Sequence, residues 1–241
     1  MEEDMELADM LQKGAGFFSA NMDDLQLEQF FKYKEILKEW NERINLTAIQ
    51  QDRDIIIKHF IDSLSVLPYI QNRGEKLIDI GTGAGFPGIP VKILCRDLKV
   101  TLLDSLQKRI KFLDEVIKHL DLKGIETLSG RAEDWGRHKD FREKFDVAVA
   151  RAVASLPVLL EYSLPFVRTG GIFIAMKGSA ADEVESSKRA LEVLGGEIVR
   201  VDEILLPFSD IKRSIIVIRK LRQTPTKFPR KAGKPSKEPM V

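Results

Sequence analysis

The segment LIDIGTGAGFPGIP, residues 77–90, places four glycines, two prolines and one acid directly after a short apolar run. Glycines at this density let a ligand come close to the backbone. Two registers fit them. Gly81-x-Gly83-x-Gly85 is the spacing of an S-adenosylmethionine turn, whereas Gly83-x-Gly85-x-x-Gly88 is that of a dinucleotide fingerprint. A purely structural role in tight strand–helix packing accounts least well for so many glycines. Pro87 and Pro90 fall near the start of the next helix, where proline costs little.

Charge separates the two cofactors. A dinucleotide brings a pyrophosphate to the turn and helix N-terminus, but S-adenosylmethionine brings an ammonium, a carboxylate and a sulfonium. Asp79 ends the apolar run just before the turn. A carboxylate there suits the ammonium, directly or through water, and is ill placed beside a pyrophosphate. Asp104, at the end of KVTLLD, could accept from ribose hydroxyls under either reading. The expected cofactor is therefore S-adenosylmethionine, and the competing enzyme class is a nicotinamide-dependent oxidoreductase.

The surrounding pattern supplies elements to position these groups. Residues 22–46 read as one amphipathic helix, with Leu27, Phe30, Tyr33, Leu37, Trp40 and Ile44 stepping by three and four. That aromatic stripe is expected to be core packing. Further helices are expected at 4–17 and 52–69. From residue 76 on, short apolar strands (76–80, 99–104, 124–129, 145–150, 171–176, 197–205 and 214–219) alternate with helical stretches, notably 106–120, 155–167 and 180–194. Such alternation implies a mainly parallel sheet with helices on both faces. LPFSDIKR, between the last two strands, is too short for a crossover helix, so an antiparallel hairpin is expected at one sheet edge. The predicted fold is α/β: a class I methyltransferase (Rossmann-like) seven-stranded sheet with a helical N-terminal region. The expected divisions are a helical extension at 1–72, a cofactor-binding domain at 73–220 and a basic proline-rich tail at 221–241.

Composition narrows the class. The 241 residues are 44% hydrophobic and 31% charged, as in a soluble globular protein. No apolar run approaches the ~20 residues a membrane span needs. The acidic start lacks the features of a secretion signal, and one cysteine, Cys95, permits no internal disulfide, so a cytoplasmic location is expected. Cys95 lies in an apolar stretch and is expected to be a buried, inert thiol. Three scattered histidines and that cysteine suggest no metal cluster. The last 22 residues carry seven Lys/Arg against one Glu, with four prolines. Such a tail is expected to be mobile or loosely docked, and either to track phosphates or merely to solubilise. Its removal is expected to spare the cofactor.

Longer segments carry a family resemblance: NLTAI (45–49), HFIDSL (59–64), DIGTGAGFPGIPVKI (79–93), LLDSLQKRIKFL (102–113), GRAEDW (130–135), FDVAVARAVASL (145–156), GGIFIAMKG (170–178) and KFPRKAGKP (227–235). From about residue 22 onward the chain resembles the glucose-inhibited division protein B family, bacterial methyltransferases of guanine N7 in small-subunit (16S) ribosomal RNA. The resemblance implies cofactor contacts from Gly81, Phe86, Ala132, Glu133 and Arg151. For the RNA side it nominates Asn45, His59, Arg131, Arg151, Lys177 and Arg213. It implies ribosomal RNA or a ribosomal subunit as partner; no obligate protein partner is evident.

Guanine N7 carries an in-plane lone pair and no proton at neutral pH. Its methylation is an in-line displacement at the sulfonium carbon, with nothing to deprotonate first, so no obligatory general base is expected. Several candidates have plainer readings. Asn45 could simply cap the helix ending near 46, and His59 could be a satisfied core histidine. Glu133 could be a carboxylate favoured at a helix N-terminus, and Arg213 could be a hairpin-tip residue facing water. A non-catalytic RNA-binding assembly factor that retains the fold is the remaining alternative.

Overall fold

The computed structural model describes residues 2–70, 75–178 and 181–241. The expected division at 72/73 and the expected helix start at 180 lie outside the described residues. Seven strands, β1 (Lys76–Ile80), β2 (Lys99–Asp104), β3 (Ile125–Ser129), β4 (Phe145–Arg151), β5 (Val167–Lys177), β6 (Gly196–Leu205) and β7 (Lys212–Lys220), form one sheet in the order β3-β2-β1-β4-β5-β7-β6. The first five pair in parallel, and β7 runs antiparallel between β5 and β6.

The central strands β1, β2, β4 and β7 and the second half of β5 are mostly apolar because both faces of the sheet are covered there, whereas the edge strands β3 and β6 are partly exposed. Leu77, Val147, Val149, Ile174 and Ile215 point into one cluster; their neighbours Ile78, Ala148, Ala150, Phe173 and Ile216 point into the other. The first cluster is closed by α1 (Glu2–Phe17), α2 (Asp24–Ile44), α3 (Asp52–Ile55), a π turn (Ile56–Ile61), α4 (Asp62–Leu64), α5 (Gly88–Leu94) and α6 (Gln107–His119). The second lies under α7 (Ala132–Trp135), α8 (Leu156–Ser163), α9 (Ala181–Ser186) and α10 (Lys188–Leu194). Phe30, Tyr33 and Leu37 are fully buried, so the aromatic stripe of α2 is core. A capping box, Asp23 with Gln26, starts that helix.

Three helices differ from the periodic reading. The 52–69 segment is interrupted by the π turn and ends in a tight turn at Leu67–Tyr69. The 155–167 stretch stops at Ser163, because Pro165 offers no N–H to continue it, and β5 starts at Val167. The 180–194 stretch divides at Ser187, whose hydroxyl bonds back to the Glu183 carbonyl at 2.6 Å.

The expectation of a mobile tail is overturned. Residues 221–241, ending in α11 (Lys234–Lys237), wrap against the α8 side of the sheet. Phe228 is buried, and Arg230 forms a two-pronged ion pair with the buried Glu161 at 2.6–3.0 Å. Arg142 donates to the carbonyls of Thr224 and Phe228, and Arg137 to that of Pro229. Fixed partners for the tail's backbone and charges supply what its composition lacks in apolar area.

Candidate active site

The carboxyl ends of β1, β2 and β3 form one wall of a cleft lined by Gly81, Asp104, Gly130, Arg131, Ala132, Glu133, Val153, Tyr162 and Ser236. At the end of β1 the chain turns through Gly81, Gly83 and Gly85 with φ of +68°, +62° and +89°, a region that L side chains rarely adopt. A Cβ on Gly81 would meet Val153 at 2.9 Å, so the glycine keeps the cleft open. Asp104, only 3% exposed, accepts from the Gly83 N–H at 3.0 Å, the Leu106 N–H at 2.9 Å and Arg109 at 3.2 Å. The second strand's acid thus holds the first strand's turn.

Asp79 lies beneath that turn with no solvent exposure. Its Oδ2 accepts from the Thr82 hydroxyl at 2.7 Å and the Gly88 N–H at 2.8 Å, while its Oδ1 has no partner among the described residues. Burial pushes its carboxyl up to about 6, against the lowering pull of those two bonds. Asp79 does not line the cleft; it braces the turn from beneath, and a buried carboxylate there favours a cation over a pyrophosphate on the turn above, which fits S-adenosylmethionine. Glu133 is also buried, in the first turn of α7, and accepts the N–H of Gly233 from the tail at 2.8 Å. The tail, through Gly233 and Ser236, therefore builds part of this cleft.

A second cleft, of about 360 Å³, opens beside the first at the ends of β4 and β5; Lys58, His59, Asp62, Arg151, Lys177 and Arg213 line it. The strand order explains the gathering. Arg151 and Lys177 end the parallel β4 and β5, and the antiparallel β7 begins at that same edge, which delivers Arg213. Arg151 donates to the Lys58 carbonyl at 3.1 Å, to Asp62 at 3.0 Å and to His59 Nδ1 at 3.2 Å. Its guanidinium lies 5.0 Å from the centre of the Phe86 ring, which stacks on His59 at 4.4 Å. Lys177 reaches the Ala154 carbonyl at 2.7 Å and Glu183 at 2.9 Å.

The structure thus brings His59, Arg151, Lys177 and Arg213 together. Arg131 stands on the first cleft instead, and Asn45 lines an adjoining groove with Asn41 and Thr47. Asn45 does cap α2, in a left-handed conformation with φ of +49°. Arg213 is no water-facing tip residue, since its Nε donates to Asp62 at 3.1 Å. Phe86 belongs to the glycine turn, but its ring is spent on the stack with His59 and Arg151. Two residues escaped the sequence reading. Asp62 sits within HFIDSL, and Tyr33, on α2, donates its hydroxyl to the Ala84 carbonyl inside the turn. Cys95 is buried, and burial pushes its thiol up to about 11.

His59 is 8% exposed; desolvation and then the Arg151 charge push its imidazole down to about 3. It is neutral at physiological pH. Because Nδ1 accepts from Arg151, Nε2 carries the proton and donates to the Thr47 hydroxyl oxygen at 2.8 Å. Both ring nitrogens of this histidine are engaged, one of them by Arg151. The unfolded chain takes up this proton as pH falls through 6.5, and the folded one does so only near 3. Stability from this site is therefore lost on acidification. The advantage of wild type over His59→Gln is expected to shrink by about 2 kcal/mol between pH 8 and pH 5, as read from denaturant melts at both pH values. A gap that does not change with pH would mean that His59 titrates in the fold as it does in the unfolded chain.

Comparison with known proteins identifies the family. The family model described as rRNA small subunit methyltransferase G matches residues 26–215. The Ribosomal RNA small subunit methyltransferase G of Acetivibrio thermocellus is 62% identical over 240 residues, covering 100% of this chain and 99% of that one. Its namesake from Alkaliphilus oremlandii is 54% identical, covering 98% and 100%. Among solved structures, Thermus thermophilus TrmN superposes with a TM-score of 0.51 at 16% identity, covering 69% of this chain and 53% of that one. A mutant of MtNAS gives 0.52 at 15%, covering 90% and 86%. These two speak for the fold alone. With a family model spanning most of its length and relatives matching from end to end, the chain belongs to the rRNA small subunit methyltransferase G family.

Proposed function

We propose that this chain transfers the methyl group of S-adenosylmethionine to N7 of a guanine in small-subunit ribosomal RNA, in the cytoplasm. The observation that carries the reading is the meeting of two clefts: a glycine turn with buried acids opens directly beside a cluster of cations. Family membership supplies the RNA class and, with the buried Asp79, sets aside the nicotinamide alternative.

When bound, S-adenosylmethionine supplies a methyl carbon already activated by its sulfonium. The backbone of the Gly81–Gly83–Gly85 turn, braced from beneath by Asp79, would hold it together with Asp104, Ala132 and Glu133. The rest of the work is alignment, because guanine N7 has no proton to remove. His59, neutral and hydrogen-bonded on both ring nitrogens, has no lone pair free to act as a base. Arg151, Lys177 and Arg213 suit RNA phosphates or the guanine O6 edge, which leaves N7 open to the methyl group. Arg131 and Asn45 extend the same surface on either side.

The test is to incubate the protein with labelled S-adenosylmethionine and small-subunit RNA, free or assembled, and to analyse the nucleosides by mass spectrometry. Labelled 7-methylguanosine is expected. Cofactor binding with no methyl transfer to either substrate would favour a non-catalytic assembly factor.

A further inference from the structure

We propose that Asp62 is a positioning residue for this methyl transfer: one buried carboxylate holds Arg151 and Arg213 in a fixed arrangement toward the RNA. The inference rests on the guanine-N7 reading of the cleft. Asp62 is 1% exposed, and each oxygen serves a different strand's arginine. Oδ2 takes Arg151 at 3.0 Å, from the end of β4; Oδ1 takes Arg213 at 3.1 Å, from the start of β7. With β5 lying between those strands, the two guanidinium groups have no reason to share an orientation except their common anion, and like charges left alone repel.

The π turn makes the arrangement possible. The Asp62 N–H bonds to the carbonyls of His59 and Ile57 and skips that of Lys58. The Lys58 carbonyl is thereby available to Arg151, which receives Lys58, His59 and Asp62 from one wound segment. Arg151 is consequently over-determined. Arg213 has Asp62 and the carbonyl of its neighbour Lys212, and it remains 24% exposed on the cleft. Of the two, Arg213 depends more on Asp62.

A double-mutant cycle with Asp62→Asn and Arg213→Ala tests this. Asp62→Asn is expected to lower kcat about tenfold through misplacement of the guanidinium groups. If Asp62 acts through Arg213, the double variant falls within about twofold of Arg213→Ala alone, whereas independent structural roles give additive losses. A second readout needs no turnover. In ¹⁵N spectra of the free protein, the Arg213 Nε–H is expected as a slowly exchanging resonance that Asp62→Asn abolishes and Lys177→Ala leaves in place.

Should Asp62→Asn fail to fold, Asp62→Glu keeps the charge, displaces it by one methylene and enters the same cycle. Unchanged kcat, additive losses or an unaffected Arg213 resonance would each overturn the proposal. If wild type makes no 7-methylguanosine, the underlying reading fails instead, and the resonance still decides whether Asp62 holds Arg213.

Discussion

Asp104→Ala is expected to weaken S-adenosylmethionine binding on the order of 100-fold, the sum of two losses of about 1.5 kcal/mol each. The first is the acceptor at the end of β2, which faces the cleft where ribose hydroxyls would lie. The second is the brace on the turn. Without the carboxylate, the Gly83 and Leu106 N–H groups and Arg109 lose a partner they share within 3.2 Å. Gly83 and Leu106 adjoin the cleft-lining segments at Gly81 and Ser105, so their disorder is expected to reach the proposed cofactor cleft. Asp104→Asn preserves shape but turns one oxygen into a donor facing donors, and about a tenfold loss is expected. Isothermal titration with S-adenosylmethionine measures both. An affinity within about threefold of wild type for Asp104→Ala, less than a single such hydrogen bond is worth, would remove Asp104 from the site.

Removing residues 227–241 is expected to damage both stability and cofactor binding. Glu161 is 1% exposed and relies on Arg230 for its charge partner. Stripping one member from a buried ion pair costs about 3 kcal/mol or more. At this chain length that corresponds to a fall in Tm of roughly 6–12 °C. The burial of Phe228 is lost as well. Glu133 loses the Gly233 N–H, and the cofactor cleft loses the wall supplied by Ser236, so S-adenosylmethionine affinity is expected to drop about tenfold. Arg230→Ala separates the effects: most of the loss in Tm should appear, with a smaller loss in affinity. A truncated chain that binds the cofactor as tightly as the full one would return the tail to the role its charge alone implied.

The parts that read well from sequence are those recorded in neighbouring residues. β1 and β2 fall at the expected limits, because each is an apolar run opened by a lysine and closed by a glycine turn in β1 or by Asp104 in β2. The final hairpin followed from a link too short to cross the sheet. One carboxylate before the glycines favoured S-adenosylmethionine over a dinucleotide, and the longer family segments decided between them. The π turn escaped notice because its apolar spacing over 52–69 is close to that of an ordinary helix.

The sequence alone determined that this chain forms a doubly covered sheet with a glycine turn at the end of its first strand and an acid at the end of its second. Only the tertiary structure decided which buried charges meet. Asp62 resembles any acid near a helix end until Arg213, 151 positions later, is brought across the sheet to it. Likewise the tail looked like a free cation run until Glu161 and Glu133 gave it partners. The reason is physical: strand and turn signals arise from backbone geometry within a few residues. The partner of a buried charge is instead set by strand order, which no local stretch of chain records.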